Sequence, residues 1–141
     1  MKFVQQTEIS SPPDRVWAIL IDVERWPEWT PRVTSLELLT PGPLAVGSRA
    51  FIRQPKLRPA EWRVTEIDAK SRSFTWAMKA PGLQVAGGHR VDVIGTGSRL
   101  TLQLDFTGLL GPFVARLYGD LNRQYLATEA ASLRRRCEEA V

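Results

Sequence analysis

One hydropathy period runs through the end of this chain, from Gly111 to about Cys137, and it constrains the rest. At 3.6 residues per turn, Val114, Leu117, Tyr118, Leu121, Tyr125 and Thr128 fall on one stripe, with Arg116, Arg123 and Arg134 on the other side. Gly111-Pro112 opens the segment, since proline is tolerated in a helix's first turn, where its missing N–H is no loss. The pattern predicts one long amphipathic helix. Such a helix needs an apolar surface to lie on, and what precedes it reads mainly as strands. The expectation is a curved sheet gripping the helix, with any ligand space between them.

The preceding chain divides at its turn residues. Lys2 to Ile9 alternates as a strand, and Ser10-Ser11-Pro12-Pro13-Asp14 then opens a helix with serine as N-cap. Val16, Trp17, Ile19 and Leu20 give that helix a buried side. A short helical piece at Asp22 to Arg25 ends at Pro27. Strands are predicted at Arg32–Leu39, Ser48–Gln54, Glu61–Asp68, Arg72–Lys79, Leu83–Ile94 and Ser98–Thr107. Gly95-Thr96-Gly97 marks a hairpin between the last two. The fold class is α+β: a seven-stranded antiparallel meander, two short helices after the first strand, and the terminal helix covering the sheet's one apolar face.

At 141 residues the chain reads as a single domain, 1–141, able to bury a core. No apolar run is long enough for a transmembrane helix, and Met1-Lys2-Phe3-Val4-Gln5-Gln6 lacks a signal peptide's apolar core, so a cytoplasmic location is expected. The net charge of +4 comes from 19 basic and 15 acidic residues, and the bases are scattered apart from Arg134-Arg135-Arg136. Those three complement the negative end of the helix, and nothing interleaves bases with aromatics, so nucleic acid is not an expected partner. With one histidine and one cysteine the chain has no soft-ligand metal cluster, and neither metal nor cofactor is expected. Cys137 reads as a structural thiol close to the surface. Gly95-Thr96-Gly97 joins two strands and opens no helix, so it is no phosphate loop, and no serine sits in a nucleophile elbow.

Asp22-Val23-Glu24-Arg25-Trp26-Pro27-Glu28-Trp29, preceded by Ile9-Ser10-Ser11-Pro12-Pro13-Asp14-Arg15-Val16-Trp17 and followed by Val46-Gly47-Ser48, resembles the START-like helix-grip superfamily. The likeness is to its bacterial polyketide cyclase/dehydrase (SRPBCC) branch, and it spans nearly the whole chain in order and spacing. It implies a helix-grip sheet around the C-terminal helix, an elongated apolar cavity, and a small hydrophobic ligand such as a lipid, polyketide, sterol or quinone. It does not imply one reaction, since members include cyclases, transporters and sensors.

The candidate site residues each carry two readings. Trp26 reads as an anchor for an irregular turn, and Trp29 equally as an anchor or as a lip over the cavity mouth. Trp62, Phe74, Trp76, Met78, Leu102, Leu104 and Phe106 are wall residues whether or not anything binds, and Gln54 shares the side of Ile52 and brings an amide. Glu66 falls on the side of Trp62 and Val64, yet an unpaired carboxylate is expensive to bury, so it is expected to reach solvent or an arginine. His89 alternates onto the helix-facing side: either a ligand partner and acid or base, or a strand histidine satisfied by a neighbour. A bulge at Gly87-Gly88 would turn it outward. Tyr118 and Tyr125 bring ring and hydroxyl from the helix, with Asn122 beside them, either orienting a greasy ligand or packing.

Three function classes follow. The first is a binder of a small hydrophobic molecule, as monomer or homodimer. The second is a polyketide cyclase or dehydratase with His89, Tyr118 and Tyr125 as candidate catalytic groups. The third is an interaction module using a sheet edge or the arginine-rich helix end.

Overall fold

The computed structural model describes residues 1–139. Seven strands form one antiparallel sheet: β1 (Lys2–Ile9), β2 (Ser35–Leu38), β3 (Arg49–Arg53), β4 (Ala60–Asp68), β5 (Ser73–Ala80), β6 (Leu83–Ile94) and β7 (Gly97–Thr107). Their order is β1-β7-β6-β5-β4-β3-β2, a meander from β2 to β7 with β1 returning beside β7. This is the helix-grip architecture that the resemblance implied, with β1 beside β7 where a plain meander would have set it beside β2. Helix α1 (Pro13–Ile21) and a 3-10 helix (Val23–Glu28) follow β1, and α2 (Gly111–Leu117) and α3 (Gly119–Glu138) close the chain. No helix among the described residues is long and apolar enough to cross a membrane.

Alternation sets which face is buried. On β7, Leu100, Leu102 and Phe106 point into the core, as do Phe74 and Trp76 on β5 and Val85 and Val91 on β6. Val16, Trp17 and Leu20 bury the inner side of α1. Each such side chain contributes roughly 1.5–3 kcal/mol when fully buried, so the sheet's inner face is the main source of stability.

Several local expectations are corrected. Serine does not cap α1: Pro12, extended at φ −61° and ψ 145°, takes that position, and its carbonyl accepts from the Arg15 and Val16 N–H groups. Ser11 is thereby one residue too early, and its Oγ is buried without a partner. Pro27 lies inside the 3-10 helix rather than ending the helical piece at Arg25. Ordered β2 pairing is limited to Ser35–Leu38, shorter than the predicted Arg32–Leu39. On β4 the register slips between Val64 and Glu66, so Glu66 leaves the side of Trp62 and Val64 and reaches solvent, as expected of its charge, while Ile67 comes opposite the buried Phe74. Cys137 is 3% exposed, inside the core rather than near the surface, and burial pushes its thiol up to about 11. Val93, which alternates onto the side of Val85, His89 and Val91, is nevertheless 59% exposed near the strand's end.

The terminal helix is not continuous. Tyr118 leaves helical geometry at φ −108° and ψ 18°, just before Gly119, a poor helix former. The buried seam also differs from the predicted stripe. Ala115, Gly119, Asn122, Leu126, Ala130, Leu133 and Cys137 face the sheet, whereas Leu117 and Tyr118 are 64% and 42% exposed. The seam thus lies one residue away from the hydropathy peak.

Candidate functional site

Between the sheet and α2–α3 lies a cavity of about 260 Å³. It is close to the lower end of small-molecule pockets, roughly 300–1,000 Å³. Trp62, Trp76, Met78, Leu102 and Phe106 line it from the sheet, Val114, Tyr118, Asn122 and Tyr125 from the helices, and Gln54 from the end of β3. Trp29 is not among the lining residues. It is buried at 7% exposure, with its ring 5.7 Å from that of Trp26, so it packs behind the wall instead of forming a lip. Gly87 on β6 leaves space for the wall: a Cβ there would sit 3.4 Å from the Trp76 ring and 3.7 Å from that of Trp62.

His89 faces this cavity from the centre of the sheet. The β5–β6 and β6–β7 registers run unbroken through Gly87-Gly88, so no bulge turns it outward. Its ring stacks on Phe74 at 4.1 Å and 10°, with Trp26 at 5.6 Å and Trp76 at 5.9 Å. Nδ1 lies 3.2 Å from the Phe74 carbonyl oxygen. Burial lowers the pKa to about 4, partly offset by that backbone bond, so the imidazole is neutral at pH 7.

The helix side brings different chemistry. The Tyr125 hydroxyl donates to the Pro55 carbonyl, tying α3 to the β3–β4 loop. Burial raises its pKa, and the Arg32 guanidinium, 4.9 Å above its ring, opposes the shift. Arg32 also donates through Nη2 to Thr128 at 3.4 Å, while its Nε is sealed off without a partner. Asn122 is 8% exposed and its Nδ2 likewise lacks a partner. Tyr118 stands half-open at the rim. Glu129 is a half-buried lining residue whose carboxyl is pushed up to about 7 by burial, and it has no ion-pair partner among the described residues. His89 and the two tyrosines make no hydrogen bond to one another. Among the described residues no three carboxylate, histidine or cysteine side chains are grouped to hold a metal.

Trp26, Arg32 and Glu129 are among the lining residues that escaped the sequence reading of the site, as are Arg58 and Gln103. Trp26 is both an anchor, through an Nε1 bond to the Leu20 carbonyl at 2.9 Å, and a cavity wall. Arg32 sat in a predicted strand with no marked role. Glu129 had a usable signal, since Asn122, Tyr125, Leu126 and Glu129 share an i, i+3, i+4, i+7 face.

An open antiparallel sheet curled against a terminal helix, with an apolar cavity between, defines a START-like helix-grip protein. The family model described as "Polyketide cyclase / dehydrase and lipid transport" matches residues 1–138, and the chain belongs to that family. Solved structures share the fold at low identity. Major latex-like protein 151 from Panax ginseng is 17% identical, with a TM-score of 0.78 over 99% of this chain and 98% of its own. The Zhui aromatase/cyclase from Streptomyces sp. R1128 is 16% identical, with a TM-score of 0.80 over 98% of this chain and 93% of its own. Truncated norcoclaurine synthase from Thalictrum flavum is 15% identical, with a TM-score of 0.79 over 100% of this chain and 95% of its own. No curated protein matches the chain in sequence.

Proposed function

We propose that this protein binds one small hydrophobic molecule, such as a lipid, polyketide, sterol or quinone, in the cavity between its sheet and α2–α3. The observation that carries the reading is the cavity itself, about 260 Å³ and walled chiefly by aromatic and aliphatic side chains. Its polar side chains, among them Arg32, Gln54, His89, Asn122, Tyr125 and Glu129, make no hydrogen bond to one another. His89 bonds to the Phe74 carbonyl and Tyr125 to the Pro55 carbonyl, so no relay is assembled between them. We take the working form to be cytoplasmic, monomeric or homodimeric, with the ligand as partner.

A second reading, a cyclase or dehydratase, has one observation in its favour. His89 and Glu129 line the same cavity, and the Glu129 carboxyl exchanges its proton near neutral pH. In that reading His89→Ala abolishes turnover of an accepted substrate, and an unchanged rate removes His89 from the chemistry.

Native mass spectrometry of the purified protein, followed by organic extraction of the bound mass, tests the first reading. One apolar molecule per chain is the expected result. A bare chain that also takes up no 2-methoxynaphthalene in calorimetry would overturn it.

A further inference from the structure

We propose that the ligand meets His89 through a hydroxyl group: the ring accepts a hydrogen bond at Nε2 and thereby selects phenols, enols or alcohols over molecules offering only carbonyl or ether oxygen. The inference deepens the binding function proposed above and rests on it.

The Phe74 carbonyl, 3.2 Å from Nδ1, can only accept, so Nδ1 carries the proton of the neutral ring. The lone pair then resides on Nε2. The tautomer is held by geometry, because Phe74 stacks on one face at 4.1 Å while Trp26 and Trp76 crowd the ring at 5.6 and 5.9 Å. Turning the ring over would forfeit the Phe74 bond in a buried setting, where an unmet polar group is penalised. Burial also disfavours the imidazolium, which alone would make Nε2 a donor.

Nε2 has no protein partner among the described residues, yet it is not one of the four polar side-chain atoms sealed off unpartnered; those are Ser11 Oγ, Trp29 Nε1, Arg32 Nε and Asn122 Nδ2. Since His89 is 7% exposed and lines the cavity, its open nitrogen addresses the cavity space. A ligand carbonyl placed there would set lone pair against lone pair. A hydroxyl satisfies both groups. Among ligand classes that suit the cavity, this ranks phenolic or enolic polyketides and sterol-like alcohols above quinones and esters.

The chain's single histidine makes the test direct. Protein labelled with ¹⁵N-histidine is titrated with 2-naphthol and with 2-methoxynaphthalene, which differ in the hydroxyl proton. The free protein should show Nδ1 protonated and Nε2 bare. 2-Naphthol should move the Nε2 resonance and bind about five- to tenfold more tightly than the ether, the worth of one hydrogen bond. In His89→Phe that preference, read as the ratio of the two affinities, should vanish. An Nε2–H tautomer in the free wild-type protein, equal affinity for the two probes, or a preference surviving in His89→Phe would overturn the inference and leave the pocket standing. Failure of both probes to bind would overturn the binding function as well.

Discussion

The imidazole of His89 and the ring of Phe74 stack at 4.1 Å, and the Phe74 carbonyl oxygen sits 3.2 Å from Nδ1 of the same imidazole. The two residues face each other in the β5–β6 register, so the sheet itself delivers both contacts. A polar ring is thus built into an aromatic wall, neutral and aimed at a cavity.

This arrangement makes stability depend on pH. The folded pKa of His89, about 4, lies below the ordinary 6.5, so the unfolded chain binds more protons between those values. The His89 contribution to stability is full above pH 6.5 and is lost as pH falls through 4, on the order of 3 kcal/mol in all. His89→Phe should remove that slope. The difference between wild type and variant in urea unfolding at pH 4 and pH 6.5 isolates it, and a rise in stability with pH as steep in the variant as in wild type would assign it to other groups.

Glu129 works in the opposite sense. Its folded pKa, about 7, lies above the ordinary 4.5, so the folded chain holds the extra proton between pH 4.5 and 7. Stability from this group is full below pH 4.5 and falls as pH rises through 7. Solvent reaching the half-buried carboxyl limits the effect to about 1–2 kcal/mol. Glu129→Gln should therefore be more stable than wild type at pH 7 and nearly equal at pH 4.5. Because the two slopes oppose each other between about pH 4.5 and 6.5, each single variant should reveal the other's slope in unfolding curves.

Much of this was legible in the chain. The ends of β1 and β6 were readable to the residue, because Lys2–Ile9 and Leu83–Ile94 alternate and are bounded by turn residues. The C-terminal seam was not. Ala115, Gly119, Asn122 and Ala130 bury because small side chains let the helix approach the sheet, and hydropathy periodicity overlooks small and polar residues. It favoured Leu117 instead, which points to solvent, and so it missed Glu129. The outward turn of Glu66 depends on a bulge at Thr65, a register event that alternation alone does not reveal. Trp29 and Trp26 exchange prominence for a similar reason, since which indole reaches the cavity depends on the packing of the 3-10 helix.

The approach to α2 rests on Gly108. Its φ is +90°, and a Cβ there would lie 2.6 Å from the Gly82 carbonyl oxygen, which also accepts the Leu110 N–H at 2.8 Å. Gly108→Ala meets both a left-handed backbone and a backbone clash, at a cost of about 1–3 kcal/mol. Chemical denaturation should show that loss, and a variant as stable as wild type would mean that the α2 entry is free to rearrange.

Calorimetric titration of 2-methoxynaphthalene into the wild-type protein and into Leu104→Trp tests the cavity most directly. Leu104 is a half-buried wall residue, and the larger indole would fill the space beside it. The wild type should bind one equivalent saturably, and the variant, shown by circular dichroism to be folded, should lose that binding. Equal binding in both proteins, or none in the wild type, would contradict a ligand site between the sheet and the helices.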